Sequence, residues 1–233
     1  MGLKLRTPTM TEKGLLAVWM DVESSGAADF AEWYIREHIP ERVGVPGFRN
    51  GNRYRALDGS PGFLAVYDTE SPKVLSSAPY QERLDNPTTW TQRVMPMFRN
   101  TVRSTCTILQ EAGLGMGGVL RAFRVEPKPG GREALRAALA ALPISEWIDR
   151  PGVVRVRVAE SAVSSPTQET AETEMRGPDT VASFVVLVDI TDAGVLQEKA
   201  GEGLPVPDWS ALGAVTPVEI GDYALMYNLV DGG

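Results

Sequence analysis

Apolar runs of strand length alternate along this chain with segments of helical period. Residues 14–22 (Gly-Leu-Leu-Ala-Val-Trp-Met-Asp-Val) form a run that ends in charge and reads as a central strand buried on both faces. Ser24 or Ser25 can cap a following helix, in which Phe30, Trp33, Tyr34, Glu37 and His38 recur at helical spacing. Pro46-Gly47 turns that segment into a strand over 48–57. There Phe48, Asn50, Asn52 and Tyr54 alternate with Arg49, Arg53 and Arg55. The turn residues Asp58-Gly59-Ser60-Pro61-Gly62 predict an antiparallel hairpin to the next strand, 63–68. A broken helical region follows over 71–84 and 88–98, and a β-branched strand over 99–109 closes the unit.

The second half repeats this plan. A strand at 119–125 leads through Pro129-Gly130-Gly131 into an Ala/Leu-rich helix at 132–142, then through Pro151-Gly152 into a strand at 153–159. A buried strand at 183–189, a short helix at 193–200 and a last strand at 218–229 complete it. Ile35-Arg36-Glu37-His38 aligns with Ile144-Ser145-Glu146-Trp147, and Pro46-Gly47-Phe48 with Pro151-Gly152-Val153. The strand ending in Asp68 aligns in the same way with the strand ending in Asp189. The order βαββαβ occurs twice, so the expected fold class is α+β, built of two tandem ferredoxin-like units. Each unit has an uncovered sheet face. The two are therefore expected to pack sheet to sheet as an intramolecular α+β barrel, with units at 1–112 and 113–233 joined by the glycine-rich stretch near 112–118. Residues 161–179, polar and rich in Ser, Thr and Glu, are expected to form a long mobile loop. Residues 201–217 replace the second helix of the first unit, which makes the second half the degenerate copy.

Composition narrows the function classes. With 43% hydrophobic and 23% charged residues the chain is ordinary globular material. It has no apolar run near the roughly 20 residues of a membrane span, and its first residues lack the apolar core of a signal peptide. The lone cysteine, Cys106, cannot form an internal disulfide. These features predict a cytoplasmic location without a membrane partner. The net charge of −7 argues against nucleic acid. That charge is uneven: residues 1–112 carry 13 Lys+Arg against 13 Asp+Glu, and the rest carry 10 against 17. An anionic small molecule would thus sit more naturally in the first half, and two chains could pair through the acidic second half as a homodimer.

His38 is the sole histidine, and imidazole titrates near neutral pH, so it is the first candidate for acid–base work. Tyr34 and Glu41 lie within one helical turn of it. The structural alternative is a histidine that caps the end of the helix. Asp21, Tyr54, Tyr67 and Asp68 end or punctuate strands expected to face that helix, where polar groups either line a pocket or merely mark strand ends. Trp90, Met95, Met97 and Phe98 could form an apolar wall for a ring-shaped ligand, and Trp33 belongs with them, although such residues also make plain core. One His and one Cys cannot supply a zinc site, so no metal is expected. The run Gly113-Leu114-Gly115-Met116-Gly117-Gly118 lacks the Lys-Ser/Thr ending of a phosphate loop. No Gly-x-Ser-x-Gly elbow occurs.

Trp33-Tyr34 before Glu37-His38-Ile39-Pro40-Glu41, then Pro46-Gly47-Phe48 and a strand reaching Tyr54, resembles the dimeric α+β barrel superfamily, nearest its EthD-like and stress-responsive branches. The resemblance implies a pocket between sheet and helices in the first unit. His38 would be the acid/base there and one of Tyr34, Tyr54 or Tyr67 its partner; Asp21, Trp33, Tyr54, Trp90 and Phe98, singled out above from their positions, are the expected substrate contacts. Trp147 stands where a second histidine would be expected, so one pocket per chain is implied. Haem members of the superfamily place their ligand histidine in the second unit, which has none here; no cofactor is expected. The expected function is a cofactor-free enzyme of lyase, cyclase, isomerase or monooxygenase type, acting on an apolar or aromatic carbonyl compound. The alternative is a non-catalytic small-molecule-binding or structural barrel.

Overall fold

The computed structural model describes residues 12–59, 61–162, 170–196, 204 and 206–232. The first βαββαβ unit runs β1 (Gly14–Val22), α1 (Ala27–Trp33), a π-helical turn (Tyr34–His38), α2 (Ile39–Val43), β2 (Asn50–Ala56), β3 (Phe63–Thr69), α3 (Ala78–Asp85), α4 (Thr89–Val94) and β4 (Phe98–Gly113). The second runs β5 (Val119–Val125), α5 (Arg132–Ala140), α6 (Ile144–Ile148), β6 (Val153–Ser161), α7 (Ala171–Arg176), β7 (Phe184–Ile190) and β8 (Glu219–Val230).

Each unit orders its strands 4-1-3-2, as a ferredoxin-like sheet does, and the two sheets meet at both edges. β2 pairs with β8 and β4 with β6, so the ring β1-β3-β2-β8-β5-β7-β6-β4 closes with antiparallel neighbours throughout. The α+β barrel expected from the repeat is therefore what forms. Closure leaves none of these strands with an unpaired edge.

Strand alternation sorts side chains into three cores. Leu15, Ala17 and Trp19 of β1, Leu64 and Val66 of β3, and Val185 and Leu187 of β7 point into the barrel. Leu16 and Met20, Ala65 and Tyr67 point outward beneath the first unit's helices, joining Phe30, Trp33 and Tyr34. Val156, Val158, Phe184 and Val186 do the same beneath α5 and α6, where Trp147 is buried. The barrel interior also holds ions. Arg157, 1% exposed, donates to Asp68 Oδ1 and to Asp189 Oδ2, each at 2.9 Å, and Arg155 donates to Asp68 Oδ2 at 3.0 Å. The two aspartates aligned by the sequence repeat thus meet on one guanidinium.

Several local expectations change. Neither Ser24 nor Ser25 caps α1; a single turn over Ser24–Gly26 precedes it and no side chain bonds its first amides. Residues 161–179 are not simply loop. Thr170 and Thr173 form a reciprocal capping box that starts α7, and α7 crosses to the first unit; residues 163–169 lie outside the described residues. At 193–200 the described part is one turn, Ala193–Leu196, and the rest lies outside the described residues. In place of the missing second helix, Trp209 packs on Phe123 with ring centroids 5.1 Å apart. No described helix is long and apolar enough to cross a membrane.

Candidate active site

The helix bearing His38 does not end there. Pro40 has no N–H to give to the carbonyl of Arg36, and its ring would strike that carbonyl in a regular α-helix. The chain widens by one residue instead: Ile39 N–H bonds Tyr34 O, five residues back, and the helix resumes to Val43. His38 is therefore an internal helix residue, which removes the helix-end capping alternative. The widened turn directs Tyr34, His38 and Arg42 toward the outer face of the sheet.

These three side chains roof a cavity of about 30 Å³ whose floor is Leu16 and Val18 of β1, Tyr67 of β3, and Phe98 and Arg103 of β4. Tyr80 of α3, Met95, and Glu172 and Arg176 of α7 close its sides. The space suffices for one or two waters. His38, 7% exposed, stacks against Trp33 with ring centroids 4.3 Å apart and meets the Tyr34 ring edge-on at 5.0 Å. Trp33 is locked in turn: its Nε1 donates to Glu37 Oε1 and Thr91 Oγ1, both at 3.1 Å.

Polar groups are left unspent here. His38 Nδ1, Arg42 Nη1 and Tyr67 Oη are buried without a hydrogen-bond partner, a costly state that binding sites commonly retain. Burial, with Arg42 and Arg176 nearby, holds the His38 imidazole well below its ordinary value of 6.5, so it is neutral at neutral pH. Burial pushes the Tyr34 phenol up to about 12, and the Tyr67 phenol well above its usual range, so both keep their protons. Tyr34 gives its hydrogen to Met20 Sδ at 3.6 Å, a weak acceptor readily exchanged for a better one.

Of the eight side chains put forward from the sequence as acid/base, its partner or substrate contacts, the fold brings His38, Tyr34, Tyr67 and Phe98 together at this cavity, with Trp33 behind the histidine. The other three lie elsewhere. Tyr54 points into the barrel, because the alternation of β2 puts Asn52 and Tyr54 on the inner face and Arg53 on the outer. Asp21, at the end of β1, accepts from Gly62 N at 2.6 Å and Asn100 Nδ2 at 2.9 Å and serves a strand-end junction. Trp90 donates to Asp29 Oδ1 at 2.8 Å on the outer side of α4 and is no wall of the cavity. Glu41 does not orient the imidazole; its carboxylate lies 3.6 Å from Arg42 Nη1. Arg42, Arg103, Glu172 and Arg176 were missed. Arg42 lies one turn beyond His38 and could have been found by continuing its helical face. Glu172 is 130 residues away and carries no local signal.

Among the described residues no cluster of His, Cys, Asp and Glu is arranged to hold a metal ion. The second unit has no histidine for a haem iron. The cavity sets one neutral imidazole, three phenols, three guanidinium groups and one carboxylate around an apolar floor.

No protein-family model matches the chain, and no curated protein matches its sequence. Among solved structures, an anthrone oxidase-like protein superposes with a TM-score of 0.60 at 12% identity, over 96% of this chain and 94% of its own. A candidate monooxygenase from Fusobacterium nucleatum gives 0.60 at 7% identity over 96% of each chain. A candidate chlorite dismutase gives 0.52 at 16% identity over 94% of this chain and 96% of its own. At such identities the likeness is one of fold. The chain is an α+β barrel of two fused ferredoxin-like units, an architecture shared with monooxygenase-like and chlorite dismutase-like proteins.

Proposed function

We propose that the chain is a small enzyme acting on an apolar or aromatic carbonyl compound without a resident cofactor, with the first unit (1–112) carrying the site and the second (113–233) acting as scaffold. The carrying observation is the enclosed pairing of neutral His38 with the protonated Tyr34 and Tyr67 across an apolar slot. Such an arrangement suits proton removal beside a carbonyl. The C–H bond breaks, the proton passes to the His38 imidazole, and the electron pair moves onto the carbonyl oxygen, which the phenols hold as an enolate. An enolate formed this way is a starting point open to isomerase, lyase, cyclase and monooxygenase chemistry alike. The EthD-like or stress-responsive branch fits the helix motif from Trp33 to Phe48 and remains part of the same proposal. So does a cytoplasmic location.

Simple aromatic 1,3-diketones are suitable probes, because the C–H between their two carbonyls is acidic, and anthrone is a second, because the C–H across the ring from its carbonyl loses a proton to give the conjugated enolate. The protein should speed their hydrogen–deuterium exchange in D2O, followed by NMR. His38→Gln should return the rate to that of buffer while the unfolding midpoint stays within a few degrees. Full exchange activity in His38→Gln sinks the assignment of the base. A second reading is a barrel that binds a small molecule without converting it. No acceleration by the unmodified protein with any probe would select that reading.

A further inference from the structure

Glu172 stands on the second unit, yet its carboxylate lies in the first unit's site. It accepts from Arg42 Nη2, and its other oxygen lies 3.6 Å from Arg176 Nη1. Both arginines are nearly inaccessible, and Arg42 Nη1 still lacks a hydrogen-bond partner. A guanidinium presents a planar fork that matches a carboxylate through two parallel bonds. Here the fork is half used by a side chain arriving from elsewhere in the chain.

Beside this pair lies a second pocket, of about 200 Å³, between the outer face of β4, α3 and α7. Arg103 and Arg176 belong to the walls of both spaces. Arg103 donates to Tyr80 Oη at 3.0 Å, whereas Arg176 is held by Asp179 at 2.7 and 2.9 Å. A volume of this size is below the roughly 300–1,000 Å³ of drug-sized sites and fits a single ring or a short chain. The two spaces together present three guanidiniums. Glu172 and Asp179 bond two of them, and Glu41 lies 3.6 Å from Arg42 Nη1, beyond hydrogen-bond reach.

We propose that the ligand of this site is a small carboxylate-bearing compound, and that Glu172 occupies in its absence the place of that carboxylate on Arg42. The inference rests on the reading above that the cavity is the working site. The body of the ligand lies in the outer pocket, and its carboxylate takes the Arg42 fork when Glu172 withdraws. Glu172 is thus an internal competitor, which sets affinity and rejects neutral analogues: an uncharged ligand cannot replace the charge that Arg42 loses.

Benzoate and benzamide, equal in shape and different in charge, test this by calorimetry and by thermal unfolding. Benzoate should raise the unfolding temperature of the unmodified protein more than benzamide at equal concentration. Glu172→Gln removes the competing charge and should tighten benzoate by about tenfold or more, with benzamide changed less than about threefold. The double variant Arg42→Met with Glu172→Gln leaves no unpaired buried charge from this pair and should lose the gain. Equal effects of benzoate and benzamide on the unmodified protein overturn the proposal. So does an unchanged benzoate affinity in Glu172→Gln, or a gain that survives in the double variant. These readouts involve no turnover. Exchange activity that depends on His38 without charge-selective binding defeats only this inference; charge-selective binding without exchange defeats only the enzyme reading.

Discussion

Arg157 of the second unit joins Asp68 of the first to Asp189 of its own inside the barrel, with both contacts at 2.9 Å. The three groups are almost fully buried. Burial works against the charge on Asp68, yet Arg157 and Arg155 hold its carboxyl well below the usual carboxylate range. Asp189, with burial dominant and Arg157 only partly offsetting it, is raised. Removing the shared cation takes from Asp189 its ion pair and leaves Asp68 with Arg155 alone. Arg157→Met should therefore cost about 3–5 kcal/mol in chemical denaturation. Adding Asp68→Asn and Asp189→Asn to that variant should recover much of the loss.

The Tyr67 hydroxyl separates a structural role from a chemical one. It is buried beside the Tyr34 hydroxyl and makes no well-formed hydrogen bond, so Tyr67→Phe should change stability by no more than about 1 kcal/mol in either direction. The exchange reaction, if Tyr67 holds the enolate oxygen, should slow by about tenfold or more. Loss of stability with intact exchange would show that the hydroxyl has a structural partner.

Acid should weaken the fold through His38. Its folded value is depressed and its unfolded value is near 6.5. Between the two, the unfolded chain takes up a proton that the folded chain refuses, so this contribution to stability is complete above 6.5 and declines as pH falls below it. The slope is at most about 1.4 kcal/mol per pH unit. His38→Gln should remove it, and because the chain has a single histidine, the difference between the two denaturation profiles reports this residue alone.

Gly51 permits the close seating of the helix on the sheet. A Cβ there would lie 2.9 Å from both Ile39 Cγ2 and Tyr67 Cε1. Gly51→Ala should cost about 1–3 kcal/mol, and by tilting Tyr67 it should lower benzoate affinity as well. Unaltered unfolding in that variant would show that α2 can lift without strain.

The barrel could be read from the chain because its signals are local: runs of period two, Pro-Gly turns at matching places, and a repeat that pairs Asp68 with Asp189. Helical spacing put His38 and Tyr34 on one face, while a pocket shared by His38 with one of Tyr34, Tyr54 or Tyr67 was what the resemblance implied. What escaped was of two kinds. The helical segment was read on to Pro46-Gly47 without Arg42 being taken from its face, and the widened turn that absorbs Pro40 has no composition of its own. Tyr54 was misplaced because the face on which a strand buries its residues depends on the neighbours across the ring, and both faces of β2 are covered. Glu172 was invisible for a plainer reason. Its partner is in the other unit, and the polar stretch around it resembles a solvated loop until the capping box of Thr170 and Thr173 is seen to start a helix.

The seams β2–β8 and β4–β6 have one more consequence. When two identical chains build such a ring, every feature is obliged to appear twice, and any hollow weakens both halves alike. Joining the units in one polypeptide frees them to diverge. One half has filled the place of His38 with Trp147 and backed Phe123 with Trp209, while the other retains its hollow and receives α7 as a cover from its twin. Because that cover is covalently tethered, the shielding of His38 is independent of protein concentration.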